Sequence, residues 1–139
     1  MKVTFGTTAL STGDPTGNCS NVRVNGEQQV QTSEFFRGTA AATFPRGNVT
    51  TKFQFITSWI FATVGAAEVF ALTHTAPGNL PMSPTDRSTV TVQCGFTGAL
   101  TNIYMANAAL KSAVIINYRG LSVDVEYSIE GPYFQTTAP

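Results

Sequence analysis

Charge is what this sequence most lacks. Only 12% of its 139 residues are Asp, Glu, Lys or Arg, about half the usual quarter. The eight bases balance the eight acids, and no run of either sign occurs. The basic footprint of a nucleic-acid or anionic-lipid binder is therefore missing. Histidine occurs once, at His74. A serine or cysteine nucleophile needs a base, and no Gly-x-Ser-x-Gly elbow surrounds any serine, so triad chemistry has little to draw on. The two cysteines, Cys19 and Cys94, lie far apart and form no Cys-x-x-Cys or Cys/His spacing suited to zinc. They are expected as free, buried thiols, with a disulfide as the alternative. No glycine pattern that cradles phosphate is present, and the loop acids are too isolated for a calcium site. No metal, no cofactor and no enzymatic activity are expected. After Met1 there is no basic segment leading into an apolar stretch and a small-residue cleavage site, so synthesis and assembly in a cytoplasm are expected.

The polar surface is instead built from hydroxyls and amides. Such a surface lacks the self-repulsion that keeps small monomers apart, and it loses little when covered by copies of itself, which leans toward an assembly subunit. At this length one core buries about two-thirds of the unfolded surface, so residues 1–139 are expected to form a single domain.

Along the chain, residues Lys2 to Thr7 alternate as a short strand, and Leu10 to Ser20 reads as a turn-rich connection. In NVRVNGEQQVQ, Asn25-Gly26 offers the two left-handed residues of a type I′ turn. The spacing predicts a projecting or docking hairpin around Val24, Asn25, Gly26 and Glu27. Phe44 to Asn48 reads as a loop. The most apolar stretch, KFQFITSWIFATVGAAEVFALT, changes period in its middle. Phe53, Phe55, Thr57 and Trp59 share one parity, predicting a half-buried strand over Thr50 to Phe61. Val64, Ala67, Phe70, Ala71 and His74 fall near helical spacing, with Thr63 as N-cap and Pro77-Gly78 beyond the end, predicting an amphipathic helix over residues 63–75. A membrane span over Phe53 to Leu72 would place Gln54 and Glu68 in hydrocarbon, so a strand running into a helix is the better account and no membrane partner is expected.

Ser88 to Cys94 predicts a strand with Val90 and Val92 inward. Leu100 to Tyr118 fits two strands or one long bent strand, with a short helix around Met105 to Leu110 as the alternative. Arg119-Gly120 turns the chain, and LSVDVEYSIE alternates most cleanly. Leu121, Val123, Val125, Tyr127 and Ile129 face a core, while Ser122, Asp124, Glu126, Ser128 and Glu130 face away. The expected fold is mainly β, an antiparallel β-sandwich or barrel with one flanking helix. The core is expected to include Phe53, Phe55, Trp59, Phe70, Val123, Val125 and Tyr127.

Asp124 and Glu126 stand about 7 Å apart on one strand face, a spacing compatible with two-carboxylate hydrolysis, yet any strand with acids two apart offers the same. Tyr104, Tyr118, Tyr133 and Phe134 could form a carbohydrate platform or belong to core and interfaces. His74 is expected to pack or to favour the helix C-terminus.

The order of these features, from the polar Asn-Gly segment and the RGN of Arg46 to Asn48 through the aromatic strand, FATVGAAEVFALTH, VTVQC and the closing GLSVDVEYSI strand, resembles small tail proteins of long-tailed bacteriophages and prophages. The likeness runs from about Val22 to Glu130 and points to tail-tube subunits and tube-like rings at the tail tip. It implies a virion structural protein whose copies close into a ring, commonly a hexamer, with other tail proteins as partners and DNA passing without specific binding. On that resemblance, the segment around Asn25-Gly26 would dock on a neighbour, and Asp124, Glu126 and Glu130 would line the channel. A monomeric β-sandwich module binding carbohydrate or a receptor is the alternative.

Overall fold

A computed structural model describes residues 1–11, 19–33, 42–96 and 99–139, and side chains within these except at 29–33, 42–48 and 96. Seven strands form one antiparallel sheet. They are β1 (Lys2–Phe5), β2 (Thr8–Ala9), β3 (Cys19–Ser33), β4 (Ala42–Ile60), β5 (Arg87–Phe96), β6 (Ala99–Arg119) and β7 (Ser122–Gly131), and the one helix among the described residues, α1 (Val64–Thr73), lies between β4 and β5. The strand order is β2-β1-β5-β6-β7-β4-β3. The mainly β fold with one flanking helix is thus the fold expected from sequence, carried by one open sheet.

β6 gives the sheet its shape. It pairs with β5 through Ala99 to Ala109 and with β7 through Ala109 to Arg119, exchanging partners at Ala109. Around that point its register slips at Ala106-Asn107, at Lys111 and at Ile116, and Asn107 takes a left-handed φ of 52°. Extra residues of this kind bend and twist a strand, and a strand that changes partners at such a bend turns the corner between two packed layers. Gly131 marks the close approach that results: a Cβ there would lie 2.5 Å from Met105 Sδ and 3.3 Å from Ala108 Cα. The tail then returns to β6, where Tyr104 and Gln135 exchange backbone hydrogen bonds of 2.8 and 2.7 Å.

Alternate side chains of β1, β5, β7 and the Thr51–Thr57 part of β4, with Met105 of β6, fill the concave face. Val3, Phe5, Val90, Val92, Met105, Phe53, Phe55, Val123, Val125, Tyr127 and Ile129 are all buried there. The Phe53, Phe55 and Tyr127 rings form its centre, with centroids 5.1 and 5.4 Å apart in sequence of contact. At the sheet's two ends, Leu10 and Ser11 follow β2 and are buried, and Ser11 Oγ accepts a 2.9 Å hydrogen bond from Val3 N. Cys19 at the start of β3 sits against Ser11, so the sheet curls toward closure, although the edge strands β2 and β3 do not pair.

The helix begins where the sequence placed it. Thr63 is extended at the N-cap and its Oγ1 accepts from Ala66 N at 3.2 Å, the side-chain cap that satisfies one of the free amides of a first turn. Amphipathicity is weaker than expected. Ala67 is buried and Phe70, Ala71 and His74 are half-buried, but Val64, Val69 and Leu72 are exposed. The apolar stretch from Lys52 to Thr73 divides into β4 and α1, and among the described residues no helix is long and apolar enough to cross a membrane.

Three local expectations are corrected. Asn25 and Gly26 are not a turn. They lie inside β3, opposite Lys52 and Thr51 of β4, and neither has a positive φ. Phe44 to Asn48 is not a loop either, since it belongs to β4. There Arg46, Gly47 and Asn48 stand opposite Gln29 alone, between the pairs Gln28/Val49 and Val30/Pro45, as a bulge. Turn-forming residues were absorbed into strands because a long partner supplied a ladder for the backbone, and pairing context outweighs local preference in sheets. The real tight turn is at Gly120, with φ 61°, in the two-residue loop joining Arg119 to its partner Ser122, as one-left-handed-residue hairpin turns require. Leu121 falls in that loop and is exposed rather than inward. Of the predicted connection from Leu10 to Ser20, residues 12–18 lie outside the described residues.

Candidate assembly surfaces

β3 ends the sheet, and its side chains from Ser20 to Gln28 are exposed on both faces. Val24 is 57% exposed although it pairs with the buried Phe53, because among the described residues no strand flanks it on the far side. Val22 and Val49 are exposed nearby. A terminal strand presents a row of backbone donors and acceptors to any strand laid against it. Among the described residues, its protection is slight: Arg23 and Glu27 are charged, and a bulge at Asn21, φ 48°, twists its beginning. The β3–β4 pair also outruns the sheet. β7 leaves at Gly131, opposite Thr51, so Ala42 to Thr50 has β3 as its only partner strand. The hairpin expected about Asn25-Gly26 is not formed: the projecting ribbon is made by residues 27–33 of β3 and 42–50 of β4, with Glu27 at its base and Val24, Asn25 and Gly26 inside the sheet. At its base lies a cleft of about 520 Å³ lined by Thr50, Arg87, Asn107, Lys111, Glu130 and Tyr133 among others.

The convex face of β7 carries Asp124, Glu126 and Glu130, all half-buried rather than freely exposed. Neighbouring strands explain this. Asp124 accepts a 2.6 Å hydrogen bond from Ser58 Oγ, Glu126 lies between Ile56 and Val114, and Glu130 lies beside Lys52. Arg23, paired with Gln54, and Arg119, paired with Ser122, share that face. The stripe of acids seen in sequence is therefore flanked by cations on both sides. Sequence alternation located the acids but could not show which strands would sit beside them.

The remaining candidates are dispersed. Of the residues named for the core, Phe53, Phe55, Val123, Val125 and Tyr127 are buried, whereas Trp59 of β4 and Phe70 of α1 are half-buried where the helix meets the sheet, their rings 5.4 Å apart. His74 caps the helix C-terminus, and its Nε2 lies 2.6 Å from Tyr127 Oη. Burial pushes its imidazole below the ordinary range. Sequence periodicity foresaw that His74 packs, but the contact with Tyr127 was missed, because it joins residues 53 positions apart. The four platform aromatics do not gather. Tyr104 pairs with the tail, Tyr118 at the other end of β6 bonds Glu68 at 3.4 Å, Tyr133 lines the cleft, and Phe134 packs edge-on against Phe53. Cys19 and Cys94 are free thiols, half-buried, and burial pushes that of Cys19 above its usual range.

No protein-family model matches the sequence, and no curated protein does. Among solved structures, a chain of the sheath–tube complex of an extracellular contractile injection system, PVC in its extended state, is similar over 99% of this chain and 88% of that one. Its identity is 14% and its TM-score 0.50. A chain from the tube-terminating cap of the anti-feeding prophage aligns over 98% of this chain and 87% of that one, at 11% identity and a TM-score of 0.48. At such identity the first likeness establishes a shared fold, one that extends along the whole chain.

Proposed function

We propose that the protein is a structural, non-catalytic subunit of a phage-tail-like particle, whose copies join into a ring of a tube, tip or cap. The observation that carries this reading is the exposed, unpaired edge of β3 at the end of a sheet that has the fold of a tube-complex chain. An edge this long and this little defended is an association template, and natural monomers blunt such edges. Paired with a neighbour's strand, it would continue the sheet from subunit to subunit, and the ribbon would reach over the adjoining copy. A hexamer closed in this way would present the convex face of β7 to a channel. There the mixed face of Asp124, Glu126 and Glu130 with Lys52, Arg23 and Arg119 offers DNA no net cationic surface, so phosphates would find no counterion-releasing groove to hold them. Other tail proteins would occupy the ring's two ends in the particle, after assembly in the host cytoplasm.

Negative-stain microscopy with size-exclusion chromatography tests the reading. Rings or short tubes are expected from the wild-type protein, and Val24→Lys, which places a charge on the edge, should leave the thermal midpoint unchanged while reducing assembly at least tenfold. A wild-type protein that stays monomeric at about millimolar concentration would overturn it.

A further inference from the structure

The chain has one histidine and one tryptophan, and both meet the hydroxyl of Tyr127 where α1 rests on the sheet. Tyr127 is 0% exposed, so its hydroxyl must find a partner inside the protein. His74 Nε2, 2.6 Å away, is that partner. The indole N–H of Trp59 is buried without an acceptor in hydrogen-bond geometry and lies beside the same hydroxyl. The Trp59 N–H thus lies against the Tyr127 oxygen, and the Tyr127 O–H points to the lone pair on His74 Nε2. A neutral imidazole with its proton on Nδ1 supplies that lone pair, whereas an imidazolium has two donors and no acceptor.

Little else fastens the helix. Ala67 is its only fully buried residue. The rest of the contact is a stack of rings: Phe70 lies 4.3 Å from His74, 4.9 Å from Phe61 and 5.4 Å from Trp59, centroid to centroid. We propose that α1 is a pH-released latch, in which protonation of His74 removes the acceptor of the buried Tyr127 O–H, leaves that donor without a partner beside the Trp59 N–H, and frees the helix from the sheet in mild acid.

Among the described residues, the groups around the imidazole offer no compensation. From β7 it meets Tyr127, and from β4 the uncharged Trp59. Tyr118 of β6 holds Glu68, the only carboxylate on α1. In the loop after the helix, Asp86 is engaged by Ser83 N. Asp124 and Glu126 project from the opposite face of β7. The Phe70 ring gives an imidazolium some cation–π attraction but no lone pair for the Tyr127 O–H. Burial already holds the imidazole below its ordinary range.

Because His74 and Trp59 are each the only one of their kind, the full chain reports on the latch without labels. Imidazole NMR shifts, Trp59 emission and amide hydrogen exchange in α1 would be followed from pH 8 to pH 4. The helix-opening constant should rise about tenfold per pH unit below about 6.5, until the docked imidazole itself titrates. Trp59 emission should shift to the red over the same range. His74→Gln keeps a side-chain acceptor that does not titrate, and it should abolish the acid opening. Exchange in α1 that is independent of pH would overturn the proposal, as would acid opening that persists in His74→Gln. Should that variant not fold, the wild-type data decide: opening whose onset does not track the imidazole titration refutes the latch.

Discussion

Phe55→Ala gives the sharpest test of how the sheet divides inside from outside. Phe55 is 0% exposed, pairs with Tyr127 across the β4–β7 ladder, and has the rings of Phe53 and Tyr127 at 5.1 and 5.4 Å. Truncating a fully buried Phe costs about 3–5 kcal/mol through lost transfer energy and the cavity left behind. Two aromatic partners place this site in the upper half, at about 4 kcal/mol, because ring–ring contacts add to the area term. That is a large share of the roughly 5–15 kcal/mol that stabilises a domain, and it should lower the thermal midpoint by roughly 12 °C for a chain of this size. The neighbouring substitution Ile56→Ala acts on the convex face, where Ile56 is half-buried beside Glu126, and should cost only about 1 kcal/mol. Urea unfolding of both variants, with the slope held equal, measures the difference directly. Equal losses at the two positions would mean that both faces of β4 are covered in the isolated chain, and the assignment of the core to one face would fail.

Thr63→Ala removes the side-chain acceptor of the helix N-cap and should cost about 1 kcal/mol, read by thermal unfolding, while Thr63→Ser should restore it. Gly131→Ala pushes a methyl into Met105 and Ala108 at the bend of β6 and should cost about 1–3 kcal/mol as overpacking; a neutral result would show that the two halves of the sheet are not in contact there. Stability should fall at both ends of the pH scale, as denaturant midpoints would show. The folded imidazole of His74 is held below its ordinary value by burial, so the unfolded chain takes the proton first and stability declines as pH drops below about 6.5. The Cys19 thiol is raised by burial, so the unfolded chain loses its proton first and stability also declines as pH rises past about 8.5.

How much of this was legible in the sequence varies element by element. β7 was read residue for residue between Ser122 and Glu130, because one face is buried along its whole length and the side-chain period of a strand is two. The helix start at Thr63 was equally plain, since a cap acts over three residues. β6 was ambiguous for a definite reason. Each bulge shifts the parity, so its inward residues run Met105, Ala108, Leu110, Ala113 and Ile115, a series that matches neither period. Asn25-Gly26 was misread because a turn signal is local while strand pairing is not. A ladder with residues about 26 positions away held that backbone extended.

The candidate surfaces divide in the same way. Sequence alone determined a low-charge chain, a mainly β body with one capped helix, and which side of β7 carries its acids, since all of these depend on composition or on neighbours within a few residues. Only the tertiary structure decided that the acids of β7 share their face with Lys52, Arg23 and Arg119, that β3 is left as an open edge, and that His74 meets Tyr127. Those facts depend on strand order and on the bends in β6, which arise from contacts between residues distant in the chain and leave no periodic trace in it.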